Sequence, residues 1–226
     1  MTDIIKPVVR SNFLRFNTKF EGVIPFCYLD CKGLVTIGVG NLIDPVSLAK
    51  PLPFLHLNGN PASIDEIVEE WTRIKNNHEL AQKGAGAAKG FCSLRLDEAG
   101  ISNLVDDKLT QMVDMLAKRF PISTWPADAQ LAVCSMSWAM GPGFHFPKFE
   151  MAVTQGDFWT ASTECAINAT GNPGVVPRNA ANKMLLENAA KVIDQGLNGD
   201  ELHLEALPDN EVQGATDVDP NPPVAS

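Results

Sequence analysis

The chain has 226 residues, 45% of them hydrophobic and 20% charged, with a formal charge of −9; this is ordinary globular composition, long enough for one large domain or two small lobes. Six of the 27 acids lie in residues 201–226, which hold no Lys or Arg, so the body keeps 21 acids against 18 bases and lacks the basic stripe of a nucleic-acid-binding surface. No apolar run approaches the roughly 20 residues of a membrane span, and five cysteines without dense spacing argue for free thiols rather than a disulfide framework.

Residues 1–20 interrupt their apolar stretches with Lys6, Arg10, Arg15 and Lys19 and show no small-residue cleavage site. Synthesis in the cytoplasm without a signal peptide is expected. Pro7 to Glu21 predicts a helix, because Val9, Phe13, Phe16 and Phe20 form one stripe. Gly22 and Pro25 end it, which puts Glu21 in the last turn. The helix dipole is unfavourable to a carboxylate there, so an acid kept at that place invites a functional question.

Residues 26–40 predict a β-hairpin, Phe26–Asp30 and Leu34–Ile37 joined by a turn at Cys31-Lys32-Gly33. Gly38 and Gly40 then let backbone approach another group closely. Residues 44–62, rich in Pro and Gly, predict a loop. Ser63-Ile64-Asp65-Glu66 has the pattern of a capping box opening a helix with Ile64, Ile67, Val68, Trp71 and Ile74. The glycines at 84, 86 and 90 predict a flexible connection between lobes. Their spacing does not fit a dinucleotide fingerprint.

Beyond Asp97, an N-cap candidate, helices are expected almost to the end. One carries Ile101, Leu104, Val105, Leu109, Met112, Val113 and Leu116. A second runs from Pro126 to about Met140 and stops at Gly141-Pro142-Gly143. Others lie near 147–154, 157–167 and 178–195. The fold class expected is α+β, mostly α. Residues 1–200 would form one catalytic domain. Its small hairpin lobe spans about 22–90, with an inserted loop, and its larger helical lobe spans about 91–200 plus helix 7–21. The acidic tail 201–226 would be disordered, with Leu202, Leu204 and Leu207 available for local docking. A cleft between two lobes is a common place for a substrate.

Glu21, Asp30 and Thr36 form the candidate catalytic set. Hydrolysis of a glycosidic bond needs one carboxylic acid to protonate the leaving oxygen and a second carboxylate to activate water or stabilise the oxocarbenium ion. A helix end followed at once by a tight hairpin brings Glu21 and Asp30 to one side. The Thr36 hydroxyl, across the hairpin, would hold a water, and glycines 38 and 40 would clear space for a sugar ring. Taken singly, each of the three residues has an ordinary structural explanation as a turn acid, a solvated helix-end acid or a β-former. The joint arrangement is the signal.

The stretch Phe20-Glu21-Gly22, Tyr28-Leu29-Asp30 and Gly33-Leu-Val-Thr-Ile-Gly-Val-Gly40 resembles the active-site segment of phage-type lysozymes, glycoside hydrolase family 24. The gaps of nine from Glu to Asp and six from Asp to Thr match that family's pattern over about residues 13–44. Ala127 to Gly141 resembles the family's central buried helix, and Val176-Pro177-Arg178-Asn179 the segment that supplies an arginine. The resemblance implies a lysozyme-like two-lobed fold, Glu21 as general acid, and Asp30 and Thr36 positioning the attacking water with inversion at the anomeric carbon. It also implies Leu42 and Trp138 as sugar contacts, Arg178 as a partner of Glu21, and no cofactor. Asn41 stands where the family usually has a structural His, which bears on local stability.

His56, His78, His145 and His203 show no metal spacing, and Cys27 and Cys31 have no second ligand pair, so no metal is expected. The implied partner is the glycan of bacterial peptidoglycan, cut by a monomer that acts in the periplasm after release as an endolysin or delivery as an antibacterial effector. Delivery machinery and an immunity protein would then be further partners. Two alternatives stay open from the sequence: a non-catalytic wall-binding or structural module on the same fold, and a hydrolase of chitin or chitosan.

Overall fold

The computed structural model describes residues 3–204. The expectations for Leu207 and for most of the acidic tail fall outside the described residues. The fold is α+β and mostly helical, with small sheets.

Helix α1 (Pro7–Glu21) has the expected bounds and buries Val9, Phe13 and Phe16. Gly22, at φ +68°, turns the chain out of it. Strands β1 (Ile24–Leu29), β2 (Val35–Gly38) and β3 (Asn41–Leu42) make an antiparallel sheet in that order. Pro25 does not lie between helix and strand as expected; it belongs to β1, an edge strand, where proline's missing N–H breaks no ladder bond.

The β1–β2 turn is built by Asp30. Its Oδ1 accepts from the Lys32 amide at 2.9 Å and the Leu34 amide at 2.8 Å, and its carbonyl accepts from the Gly33 amide at 2.9 Å. Gly33 sits at φ +72°, where a Cβ costs about 1–2 kcal/mol. Gly33→Ala is therefore expected to lose about that much stability in urea melts; a variant as stable as wild type would show that the turn tolerates another conformation.

The segment 44–62 is less irregular than expected. It contains a 3₁₀ turn at Val46–Leu48 and strand β4 (Leu55–His56), which pairs antiparallel with β5 (Leu94–Arg95). Between them, Ser63 caps α2 (Ile64–Lys75). Its Oγ accepts from the Glu66 amide while the Glu66 carboxylate accepts from the Ser63 amide at 2.8 Å, completing the anticipated box.

The glycine-rich stretch is not a flexible connection. It forms two helical turns, α3 (Leu80–Lys83) and α4 (Ala85–Ala88), followed by a 3₁₀ turn at Lys89–Phe91. Ala85 and Ala88 are buried, and α4 packs on β1. The small side chains of Ala85 and Ala88 let this backbone lie close to the strand, while Gly86 and Gly90 face open space.

Helix α5 (Glu98–Ala117) starts after Asp97, whose Oδ1 accepts the Gly100 amide at 2.7 Å. Helices α6 (Ala127–Met140), α7 (Pro147–Thr154), α8 (Phe158–Glu164) and α9 (Val175–Gln195) follow. The last begins three residues earlier than its apolar pattern suggested.

The described residues fall into two compact units. The larger comprises residues 3–20 and 107–204. Its centre is α6, buried on all sides from Ala127 to Trp138, as a helix apolar around its circumference must be. Two of the buried polar residues on α6 tie it to its surroundings. Gln130 accepts from the Lys6 amide and donates to the Ile122 carbonyl, each at 2.8 Å. Asp128 accepts from the His203 amide, and the His203 carbonyl accepts from Asn188. That docks the start of the acidic segment, with Leu202 and Leu204 half-buried. The smaller unit comprises residues 21–106 and holds both sheets with α2, α3 and α4. The division runs through α5 between 106 and 107 rather than near 90.

Candidate active site

Glu21, Asp30, Thr36 and Leu42 all belong to the smaller unit. The sheet register places three neighbours on one face. Tyr28 is directly opposite Thr36, and Thr36 is directly opposite Leu42; residues opposite each other across antiparallel strands share a face. Tyr28 and Thr36 are buried, while Leu42 is 46% exposed. The alternate residues Cys27, Leu29, Val35 and Ile37 are buried and belong to the other face. There the Cys92 thiol donates to the Cys27 carbonyl at 3.1 Å, and burial pushes that thiol up to about 12.

Asp30 follows Tyr28 by two residues, at the strand's end. Its Oδ1 is committed to the turn, as described above, and Oδ2 makes no hydrogen bond to another described residue. The Thr36 hydroxyl donates to the Leu34 carbonyl at 3.2 Å, so its oxygen retains lone pairs as an acceptor.

Glu21 closes α1 and is partly exposed. Its carboxylate lies beside Gly40: a Cβ there would stand 3.7 Å from Glu21 Oε2, and Gly40 has φ +71°. Gly38 plays another part. A Cβ at that position would meet Asn41 Oδ1 at 3.1 Å and Ile101 at 3.9 Å. The space at Gly38 is therefore filled by protein, and Gly40 is the glycine that borders a carboxylate. Asn41 is buried; its Oδ1 accepts from the Val39 amide at 3.1 Å, and its Nδ2 has no partner among the described residues.

Both acids act on one group. Burial, then the negative charges of Glu21 and Asp30, hold the Tyr28 phenol well above the ordinary tyrosine range.

The sequence matches no protein-family model and no curated protein sequence. The chemistry of the site is therefore read from its own residues.

The hairpin that carries the site is clamped from behind by α2. Trp71 Nε1 donates to the Ile43 carbonyl at 2.8 Å, and Lys75 donates to the Gly33 carbonyl at 2.9 Å and to Asp44 Oδ2 at 2.6 Å. Asp44 also accepts from the Val35 amide at 3.1 Å. Desolvation works against its charge, but these bonds prevail and hold its carboxyl below the usual value of 3.8. A carboxyl lowered in the folded state stabilises above its unfolded pKa and loses that contribution as pH falls through the folded value. Asp44→Asn is thus expected to be less stable than wild type at pH 7, with the gap closing below about pH 3.8. Urea melts at pH 7 and pH 3 read this, and a gap of equal size at both would contradict it.

Glu70, on α2, was missed in the sequence. It is buried and accepts from the Ser93 amide and hydroxyl, each at 2.7 Å, from the Leu94 amide, and from Arg73 at 3.1 Å. Its signal was spacing: Ile67, Glu70 and Ile74 recur at three and four, so the acid lies on the apolar stripe. Tyr28 was read as part of the motif without a role of its own, although it precedes Asp30 at strand alternation.

Trp138, expected to contact sugar, and Arg178, expected as a partner of Glu21 in substrate binding, are both buried in the larger unit. Trp138 meets Phe13 edge-to-face at 5.2 Å and carries the Lys108 ammonium 4.2 Å from its ring centre. Arg178 Nη1 donates to Asn17 Oδ1 at 2.7 Å and to the Ser135 hydroxyl and carbonyl at 3.0 and 3.2 Å. Its guanidinium lies over Phe20. Among the described residues, no group of three His, Cys, Asp or Glu side chains could hold a metal ion, and no helix is long and apolar enough to cross a membrane.

Proposed function

We propose that this protein is a lysozyme-like glycoside hydrolase that cuts the β-1,4 bond between N-acetylmuramic acid and N-acetylglucosamine in peptidoglycan, with inversion. The observation that carries the reading is that one hairpin gathers the three groups: Thr36 lies opposite Tyr28, Asp30 closes the turn two residues beyond Tyr28, and the Glu21 carboxylate borders Gly40. In this scheme the smaller unit is the hairpin lobe of such an enzyme and the larger its helical lobe. Glu21, protonated, gives its proton to the leaving glycosidic oxygen. Asp30 Oδ2 takes a proton from water as that water's oxygen bonds to the anomeric carbon, and Thr36 accepts the water's other hydrogen. Leu42, exposed beside Thr36, offers an apolar contact to a sugar ring. The wall is the site of action, reached after release as an endolysin or delivery as an effector.

Incubation of the protein with purified peptidoglycan tests this. New reducing ends that become muramitol on borohydride reduction are the expected product. Intact glycan, or glucosaminitol in place of muramitol, would overturn the reading; cleavage confined to chitin or chitosan would reassign the substrate.

A further inference from the structure

The face that presents Thr36 holds another polar group. Tyr28 is the single tyrosine of the chain. Its ring is buried, the residue being 9% exposed, but its hydroxyl is not one of the enclosed polar atoms that lack a partner. An O–H that makes no hydrogen bond to another described residue and is not enclosed is open to water. Asp30 follows Tyr28 by two residues at the strand's end, the residue opposite on the next strand is Thr36, and the Glu21 carboxylate borders Gly40 just past that strand. This phenol stays protonated in such surroundings, so it acts as a donor.

In an inverting hydrolysis the attacking water occupies the space between the two carboxyl groups. Water has two hydrogens and two lone pairs. One hydrogen goes to Asp30 Oδ2. The other goes to Thr36 Oγ, which can accept because its own hydrogen is given to Leu34. One lone pair must attack carbon, and the remaining one needs a donor. We infer that the Tyr28 hydroxyl is a further positioning group of this site, donating a hydrogen bond to the attacking water held between Glu21 and Asp30. The inference rests on the hydrolase reading and adds a residue to it. Tyr28 keeps its proton throughout: Asp30 gains one, Glu21 loses one, and the phenol fixes which lone pair points at the sugar.

Tyr28→Phe keeps the ring and removes the hydroxyl. On peptidoglycan, its kcat is expected to fall about 10- to 100-fold with KM within about threefold of wild type, because the lost contact is made to the nucleophile and not to the glycan. Its melting temperature should be unchanged. An unchanged kcat, or a loss confined to KM, overturns the inference while leaving the hydrolase reading intact; a wild type that releases no reducing ends overturns the hydrolase reading itself. A second measurement needs no turnover. Protein carrying 13C only at tyrosine Cζ gives one resonance, expected to shift as pH falls through the carboxylate range. Part of that shift should disappear in Glu21→Gln and part in Asp30→Asn. A resonance that ignores both substitutions overturns the placement of Tyr28 between the two acids.

Discussion

Glu21→Gln is expected to lower kcat on peptidoglycan by about a thousandfold or more, while the variant melts within about 3 °C of wild type. The amide has the carboxyl's shape but cannot give a proton to the leaving oxygen, so the step with the worst leaving group stalls. Stability should change little because the acid sits where the end of α1 disfavours negative charge, and because it is partly exposed. Full activity in this variant would remove Glu21 from the chemistry. Loss of activity together with unfolding would make Glu21 a structural residue. Asp30→Asn separates the roles further, since it retains the Oδ1 acceptor that builds the turn and alters the charge that the water's proton would meet.

Glu70→Ala is expected to be the most damaging single change in the smaller unit, costing about 3–5 kcal/mol in urea or thermal unfolding. The carboxylate is 3% exposed and satisfies the Ser93 amide and hydroxyl, the Leu94 amide and the Arg73 guanidinium. Truncation takes the acceptor from the Ser93 and Leu94 amides and empties the volume of the side chain, while Arg73 keeps the Phe91 carbonyl. Glu70→Gln should fall between, because its amide oxygen still accepts but its NH₂ faces further donors. The loss should reach the site indirectly: Glu70 ties α2 to the segment 93–94 that enters β5, and the same helix clamps the hairpin through Trp71 and Lys75. A melting temperature equal to wild type would show that this network does not hold the unit together.

Elements with a strong local signal were legible in the sequence. The stripe of α1 gave both ends correctly, the Ser63–Glu66 box marked the start of α2, and Asp97, Pro126 and Gly141 bounded α5 and α6. Each of these is decided by contacts within a few residues. Strands β3, β4 and β5 were not legible. Each has two residues, too few for an alternation, and β4 finds its partner β5 nearly forty positions away. The segment 84–90 misled because its glycines mask two alanines, Ala85 and Ala88, whose burial comes with the packing of α4 against β1.

The site divides in the same way. Glu21, Asp30 and Thr36 were singled out as candidates from spacing across a helix end and a hairpin, which local geometry fixes. The role proposed for Tyr28 needed the register that sets it opposite Thr36. The role of Gly38 needed the side chain of Asn41 folded against it. Arg178 and Trp138 were legible as residue types, but their burial depends on how helices pack in the larger unit, which no local pattern records.

The central claim is that two carboxylates act across one water on one sugar bond. Proton NMR of the anomeric region during digestion of a soluble peptidoglycan fragment tests it most directly, read before mutarotation mixes the products. Inversion of the β-linked bond predicts that the α-anomer of the new reducing sugar appears first. A first product with the β-anomer, or an anomeric region that never changes, would contradict the account.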